Sequence, residues 1–411
     1  MRARTWRAAA MAAIAMTLGA TAAVPATAAP AATAPILEAA LTSTGDMSTR
    51  RCANAAVEPW IDGTTYTATA VLPKDARPLW APDSQHAAVM GTRIKVLDRE
   101  GRKAIISNGL RVENLSPLRW SPDGSTLLFV AYSTDGDHVL YRYDVDTREL
   151  SEVTRAWRIN GYDVSPTTGE IAVGLTNGGS GGYRMVADDP DLVIVDPVTL
   201  VPRVVMGGAG WPAYSPDGRS IAAFDGIGMV LLRDDELIAT ARRDDVAFDD
   251  YLLSYWDRMT PSWSPDGAYV AGLVSRGGTV AVVRVLTADG ELAETWRTPV
   301  LYRMTWTTEH VLVTRAGFQA ASNNLDTGTR AFTPRGGTFE DTVAHGAQIT
   351  SYTGCGEVMV MNSVFKKRTY LAVADGWRYY YGRTAIAPDG TQLARMYAPG
   401  ETKPRWYVVA H

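Results

Sequence analysis

Trp120-Ser121-Pro122-Asp123-Gly124, followed at once by Ser125 to Tyr132 (STLLFVAY), is the stretch on which the reading of this chain turns. Pro presets φ, Asp hydrogen-bonds its own backbone and Gly accepts a positive φ, so Pro-Asp-Gly is turn chemistry. The run after it, rich in β-branched and aromatic residues, reads as a strand. The unit is therefore a hairpin: an aromatic ending strand A, a tight turn, then strand B.

The unit recurs as Trp80-Ala81-Pro82-Asp83, Tyr214-Ser215-Pro216-Asp217-Gly218, Trp263-Ser264-Pro265-Asp266-Gly267 and Ile386-Ala387-Pro388-Asp389-Gly390. Degenerate copies stand at Val164-Ser165-Pro166, at Trp306-Thr307-Thr308-Glu309 and, faintly, at Val343-Ala344-His345-Gly346. Taken at the Pro position, successive copies lie 40, 44, 50, 49, 43, about 36 and about 44 residues apart. A period of this size marks a propeller or another repeat architecture. A second apolar run closes on an acidic turn in most repeats, as in Ile94 to Asp98, Val139 to Asp146 and Leu192 to Asp196. Each repeat thus holds about four strands. Asp83, Asp123, Asp217, Asp266 and Asp389 are expected as scaffold residues of turns and not as catalytic acids.

The W-S-P-D-G turn, the apolar strand after it and the Ile/Val-rich strand ending in Asp resemble the WD40-like, or PD40, repeats of the TolB family of β-propellers. The resemblance covers nearly all of 64–411 and concerns the propeller part only, without the α/β domain that TolB carries ahead of it. It implies four-stranded blades, with the aromatic ending the inner strand and Pro-Asp-Gly forming the A–B turn.

The expected fold is all-β. Seven complete repeats run from Pro82, and an eighth starts at Pro388 and reaches His411 after Thr391 to Met396 and Arg405 to Ala410, without its outer strand. Residues 65–72 (TYTATAVL) alternate in strand fashion and are suited to supply it. The expectation is thirty-two strands in eight blades, closed by that N-terminal strand so that no sheet edge is left to template aggregation. Seven blades is the alternative, because the copy near Val343 is weak.

At 411 residues and 46% apolar, the chain has ample material for a large core and is neither disordered nor a disulfide mini-protein. A formal charge of −4 without a long basic run removes the footprint that nucleic-acid binding requires. Arg2, Arg4 and Arg7 precede the Ala-rich stretch Ala8 to Val24 and the A-x-A pattern Ala26-Thr27-Ala28. This reads as a secretory signal over 1–28, followed by a tether over 29–63 and the propeller over 64–411. Cleavage near Ala28-Ala29 takes the charge from −4 to −7. No later segment reaches the roughly 18 apolar residues of a membrane span, so the expected product is secreted or held in the cell envelope as a monomer. An exported chain with two cysteines favours a bridge, and Cys52 and Cys355 both flank the expected seam of the ring.

In a four-stranded meander the A–B and C–D turns fall on one face, and the B–C and D–A connections on the other. The longest connections, Thr176 to Asp191 in repeat 3 and Ala241 to Pro261 in repeat 4, belong to neighbouring blades and to the second face. Long loops on a rigid scaffold are where binding residues concentrate. The repeat 4 segment carries Asp244, Asp245, Phe248, Asp249, Asp250, Tyr251, Tyr255 and Trp256, a mixture suited to a polar ligand, a basic partner or a sugar. A short helix packed on that face for stability is the competing reading.

Enzymatic signals are poor. Gly178-Gly179-Ser180-Gly181-Gly182 matches G-x-S-x-G but lies between two strands, not on a strand-to-helix elbow. The five His (His86, His138, His310, His345, His411) show no metal-ligand spacing. Asp188-Asp189-Pro190-Asp191 offers carboxylates to Ca²⁺ but lacks the regular spacing and Gly of a calcium loop, so no cofactor is expected. The reading is a secreted, non-enzymatic propeller that binds an extracellular protein or peptide. A polysaccharide-active lyase or hydrolase using the channel, and a glycan-binding lectin, are the alternatives.

Overall fold

In the computed structural model the described residues lie between 65 and 410; outside them are 1–64, 113–116, 177–190, 243–259, 333–338, 354–357, 362–367, 371–377, 380–384, 388–390 and several shorter gaps. The described strands form eight antiparallel sheets in chain order, each a meander of strands A to D, numbered 1 to 8 below. The A strands are Arg77–Trp80, Arg119–Trp120, Arg158–Val164, Ala209–Tyr214, Ser262–Trp263, Arg303–Trp306, Phe339–His345 and Ala385–Ile386. Those of successive sheets approach one another, most closely Arg158–Val164 and Ala209–Tyr214, and so stand at the centre of the ring. In sheet 8 the first and last described strands meet: Thr65–Ala68 pairs with Arg405–Ala410 in antiparallel register, Thr65 opposite Ala410, and forms the outermost strand.

The B and C strands are apolar on both faces because each sheet is sandwiched between two others. In Thr126–Tyr132 every residue from Leu127 to Ala131 is buried. The core is accordingly a series of layers between sheets. Met90, Ile94 and Val96 of sheet 1 meet Trp120, Leu127 and Phe129 of sheet 2, and Trp80 and Leu97 meet Leu393, Trp406 and Val408 of sheet 8. The D strands form the rim, and Pro202–Met206 and Glu236–Arg242 are largely exposed.

The described strands number 34, and two of the A strands account for two of these each. The A strands of sheets 2 and 8 are each described in two pieces, Arg111–Val112 with Arg119–Trp120 and Arg378–Tyr379 with Ala385–Ile386, so the 34 make up the thirty-two expected. Of the residues before Arg119–Trp120, Pro117 and Leu118 are described and lie outside the strand, and Pro117 has no N–H to give a ladder. The described residues include no helix.

Candidate functional site

The A–B turns are built alike. Asp123 Oδ1 accepts from Ser121 Oγ (2.5 Å) and from the Ser125 N–H (3.1 Å). Asp217 does the same with Ser215 Oγ (2.5 Å) and the Arg219 N–H (3.1 Å), and Asp266 with Ser264 Oγ (2.7 Å) and the Ala268 N–H (3.1 Å). Asp83 Oδ1 takes the Gln85 N–H at 2.9 Å. The Ser121 hydroxyl and the Ser125 N–H hold the Asp123 carboxyl below the usual carboxylate range. These four carboxylates are thus engaged by their own turns; Asp389 lies outside the described residues.

Neighbouring turns also lean on one another. Gly124 has φ 75°, and a Cβ there would lie 2.7 Å from Cγ of Asp83 in the preceding turn. In sheet 6 the equivalent position is His310, held at φ 52° in the left-handed region. Its Nε2 lies 2.6 Å from Asp266 Oδ2 of sheet 5 and its Nδ1 3.0 Å from both oxygens of Asp326 in the C–D turn of its own sheet. The Tyr269 ring meets the imidazole at 77°, with centroids 5.2 Å apart. The hydrogen bond to Asp266, backed by Asp326, raises the His310 pKa. Partial burial works the other way on Asp266, yet hydrogen bonds from Ser264, His310 and Ala268 pull it down to about 2.

Further charges on this face are spent on internal pairs. Arg102 bonds Asp98 at 2.6 Å, Arg219 bonds Asp234 at 3.1 Å, Arg233 bonds Asp289 at 3.1 Å, and Arg203 bonds Asp235.

The face with the B–C and D–A connections differs. Tyr132 ends the B strand of sheet 2 opposite both Arg111 and His138, so the register sets the three in one row. The Arg111 guanidinium lies over the Tyr132 ring, 4.9 Å from its centroid. The Tyr132 and His138 rings meet at 78°, with centroids 4.8 Å apart. His138 is buried, and its Nδ1 accepts the Ile159 N–H at 3.4 Å. Desolvation, with the Arg158 charge adding to it, lowers its pKa to about 4, so the imidazole is neutral. Beside this row, Trp157 alone links the D strand Leu150–Ala156 to the next A strand, and it is 42% exposed.

The inner strands of sheets 3 and 4 bulge at this end, between Ile159 and Tyr162 and between Gly210 and Ala213. β-Bulges re-aim side chains and are frequent beside functional sites. Lower down, Asp163 Oδ1 accepts from Arg119 Nε of sheet 2 (3.2 Å), and its Oδ2 takes the Tyr214 N–H of sheet 4 (2.8 Å). Burial pushes this carboxyl up, against the pull of Arg119.

Asp244, Asp245, Phe248, Asp249, Asp250, Tyr251, Tyr255 and Trp256 lie outside the described residues, as do Cys52 and Cys355. Their segment joins the D strand Glu236–Arg242 of sheet 4 to the A strand Ser262–Trp263 of sheet 5. The other long connection joins Ile171–Thr176 to Asp191–Val195, strands B and C of sheet 3. Both therefore leave from the face of the Arg111, Tyr132 and His138 row. Sequence reasoning missed that row, because it depends on a register that brings together residues 21 and 6 positions apart. Among the described residues no group of three His, Cys, Asp or Glu is placed to hold a metal ion, and no helix is long and apolar enough to cross a membrane.

The ring of four-stranded meanders defines a β-propeller, and the solved structures to which it is similar include β-propeller domains. No family model matches the chain, and no curated protein does. It is similar to the computationally designed protein Ika8, with TM-score 0.52 and 10% identity over 85% of this chain and 100% of that one. It is similar also to Sqt1 of Saccharomyces cerevisiae, with TM-score 0.51 and 8% identity over 84% and 98%. The match to TolB of Acinetobacter baumannii spans about half of each chain, 56% and 55%, at 20% identity and TM-score 0.38. These likenesses concern the fold alone.

Proposed function

We propose that this protein is an exported, non-enzymatic propeller that binds a protein or peptide through the face bearing the B–C and D–A connections. The observation that carries the reading is the contrast between the two faces. On the A–B face the turn carboxylates bond their own turns, and guanidinium and imidazole groups pair with carboxylates. On the other, Arg111 has only the Tyr132 ring as a partner among the described residues, and Trp157 stands exposed beside it. Aromatic and Arg side chains with unspent capacity are what protein interfaces concentrate. Export follows from the signal-like first 28 residues, and with it a Cys52–Cys355 bridge; two free thiols in non-reducing mass spectrometry of the exported protein would remove the bridge.

The test is to screen the purified mature chain against a displayed peptide library and against a glycan and pectin panel. The reading expects peptide capture that is lost on deleting 244–256 while thermal unfolding stays cooperative. Turnover of any glycan overturns it, and capture that survives the deletion moves the site away from that loop.

A further inference from the structure

A second surface lies on the rim, at the end of the D strands that carries the C–D turns, opposite the long connections. Among the described residues five large apolar side chains are more than half exposed: Val198, Val201, Val204, Leu237 and Leu292. All five stand on the C–D turns and D strands of sheets 3, 4 and 5, which are consecutive around the ring. Val198 and Val201 belong to the turn before Pro202–Met206, Val204 to that strand, Leu237 to Glu236–Arg242 and Leu292 to Leu292–Pro299. The register gives Leu237 and Leu292 equivalent places, each opposite the second-last residue of its C strand. The three stretches form one belt because the C–D turns lean on the D strand of the sheet before. Asp235, in the turn of sheet 4, bonds Arg203, which stands between Pro202 and Val204. Gly290, in the turn of sheet 5, is pressed on sheet 4, where a Cβ on it would lie 2.5 Å from the Ala239 Cβ and 3.5 Å from the Ile238 carbonyl oxygen. Single exposed apolar side chains are ordinary on a protein surface, whereas a contiguous set marks an interaction site.

The charges around the belt set the sign of its partner. Its arginines are already matched: Arg203 with Asp235 and Glu170, Arg219 with Asp234, and Arg233 with Asp289. At the sheet 3 end Arg142 donates to the Ser151 hydroxyl and to the Pro197 carbonyl, and Pro197 directly follows Asp196, an ionised carboxylate of the same turn. Arg242 and Arg297 stand toward the other end of their strands, five residues beyond Leu237 and Leu292. Glu236 and Glu291 each directly precede an exposed leucine; both are exposed, and neither has a cation in ion-pair range among the described residues. Carboxylates therefore outnumber guanidinium groups along the belt, and two of them are free to meet a basic partner.

We infer that this belt docks a basic amphipathic helix of a partner protein. The apolar stripe of such a helix covers the valines and leucines, and the Lys or Arg flanking the stripe meet Glu236 and Glu291. Addition of a further strand fits the belt poorly. The pairing of the C and D strands shifts register in all three sheets, at Leu192/Val193, Leu231/Leu232 and Val285/Leu286, and a bulged edge is a poor template. An anionic bilayer would be repelled by the same carboxylates that attract a basic helix. The belt is a second binding surface, separate from the face that bears the long connections.

The test uses the full mature chain and fluorescence anisotropy with three labelled peptides: a Leu/Lys amphipathic helix, a shuffled peptide of the same composition and the Leu/Glu counterpart of the helix. The Leu/Lys helix is expected to bind, and the other two to bind more weakly by roughly tenfold or more. Leu237→Asn with Leu292→Asn is expected to weaken binding of the helix by roughly tenfold or more. Both leucines are exposed, so thermal unfolding of this variant should stay cooperative with an unchanged midpoint. Glu236→Gln with Glu291→Gln is expected to weaken binding and to reduce its salt dependence. Deleting 244–256 is expected to leave this binding unchanged, which separates it from the peptide capture proposed above. No binding of the Leu/Lys helix, equal binding of the other two peptides, or unchanged affinity in the folded leucine variant overturns the inference. Loss of binding on the deletion also overturns it and assigns the peptide to the face with the long connections. Self-association in sedimentation, or capture on phosphatidylglycerol vesicles, that the leucine variant abolishes would assign the belt to a second copy or to a membrane, and either overturns the inference.

Discussion

His310 Nε2 stands 2.6 Å from Asp266 Oδ2 across the boundary between sheets 6 and 5, while its Nδ1 faces Asp326 at 3.0 Å. An ionised carboxylate only accepts hydrogen bonds, so an imidazole with carboxylates at both nitrogens donates from both and is the imidazolium. The residue occupies the place that Gly fills in the regular repeats, at φ 52°. Strain of a left-handed non-Gly residue is here exchanged for an ionic clamp between two turns.

The clamp makes stability depend on pH. The folded His310 pKa is raised above its ordinary value, so the contribution is complete below that value and is lost as pH rises through the folded one. Asp266, lowered to about 2, gives stability that is present above the usual carboxylate pKa and fades as pH falls toward that figure. Both aspartates are half exposed, which limits the clamp to about 1 kcal/mol or less. Urea unfolding from neutral to mildly alkaline pH should show the wild type losing this increment and His310→Gly nearly flat. Near about pH 9 the variant should equal or exceed the wild type, since it is relieved of the left-handed strain. Parallel pH profiles for the two proteins would sink the clamp.

Four motif tryptophans stitch neighbouring sheets together. Trp80 Nε1 donates to the Ala385 carbonyl (3.0 Å), Trp120 to Leu79 (3.1 Å), Trp263 to Ala213 (3.0 Å) and Trp306 to Ser262 (2.8 Å). In every case the acceptor immediately precedes the residue at the motif's aromatic position in the previous sheet, Ile386 in sheet 8 and an aromatic in the other three. Trp306→Phe keeps a ring stacked near Tyr269 but orphans the Ser262 carbonyl, and should cost about 1 kcal/mol. Trp306→Ala also empties a buried site and should cost about 3–5 kcal/mol. Equilibrium denaturation separates the two; a Phe variant indistinguishable from wild type would show that the hydrogen bond contributes nothing.

That regularity explains how much of the fold was legible. Ser-Pro-Asp-Gly states its structure locally, through hydrogen bonds spanning two to five residues, and so survives in the linear sequence. The closing strand was legible because Thr65 to Ala68 alternates and the last repeat lacks a partner for Arg405–Ala410. Functional geometry is carried by register between strands and by contacts between sheets. The degenerate turn Trp306 to Glu309 was visible, but what His310 does beside it was not, because Asp266 lies 44 positions earlier and Asp326 16 positions later. Arg111, Tyr132 and His138 belong to three strands, none of which bears a motif naming the others.

Where inner strands of adjacent sheets close in, side-chain volume is forbidden. A Cβ on Gly174 would lie 2.7 Å from the Asn160 carbonyl oxygen and 2.8 Å from Gly210 Cα, both backbone atoms. Gly174→Ala should therefore cost about 2–3 kcal/mol and loosen the junction of sheets 3 and 4. The methyl of Gly272→Ala would press on Met229 Sδ, a flexible side chain able to swing away, and should cost about 1 kcal/mol. Thermal unfolding of both variants tests the order, which reverses if backbone yields more readily than methionine.

Asp163 ties three sheets together, and its substitutions should rank by what they leave unpaired. Asp163→Ala strands both the Arg119 guanidinium and the Tyr214 N–H; with Arg119 a third exposed, the cost should be about 2 kcal/mol. Asp163→Asn retains one acceptor oxygen and should cost about half as much. Arg119→Leu is the more informative change. Burial already raises the Asp163 pKa against the pull of Arg119, and removing that pull raises it further. A carboxyl whose folded pKa exceeds its unfolded one favours folding where it is protonated and loses that favour as pH rises through the raised value. Arg119→Leu should thus lose more stability than the wild type on going from mildly acidic to neutral pH. Asp163→Asn in the Arg119→Leu background should abolish the slope, and a slope that persists in the double variant would place its origin in another group.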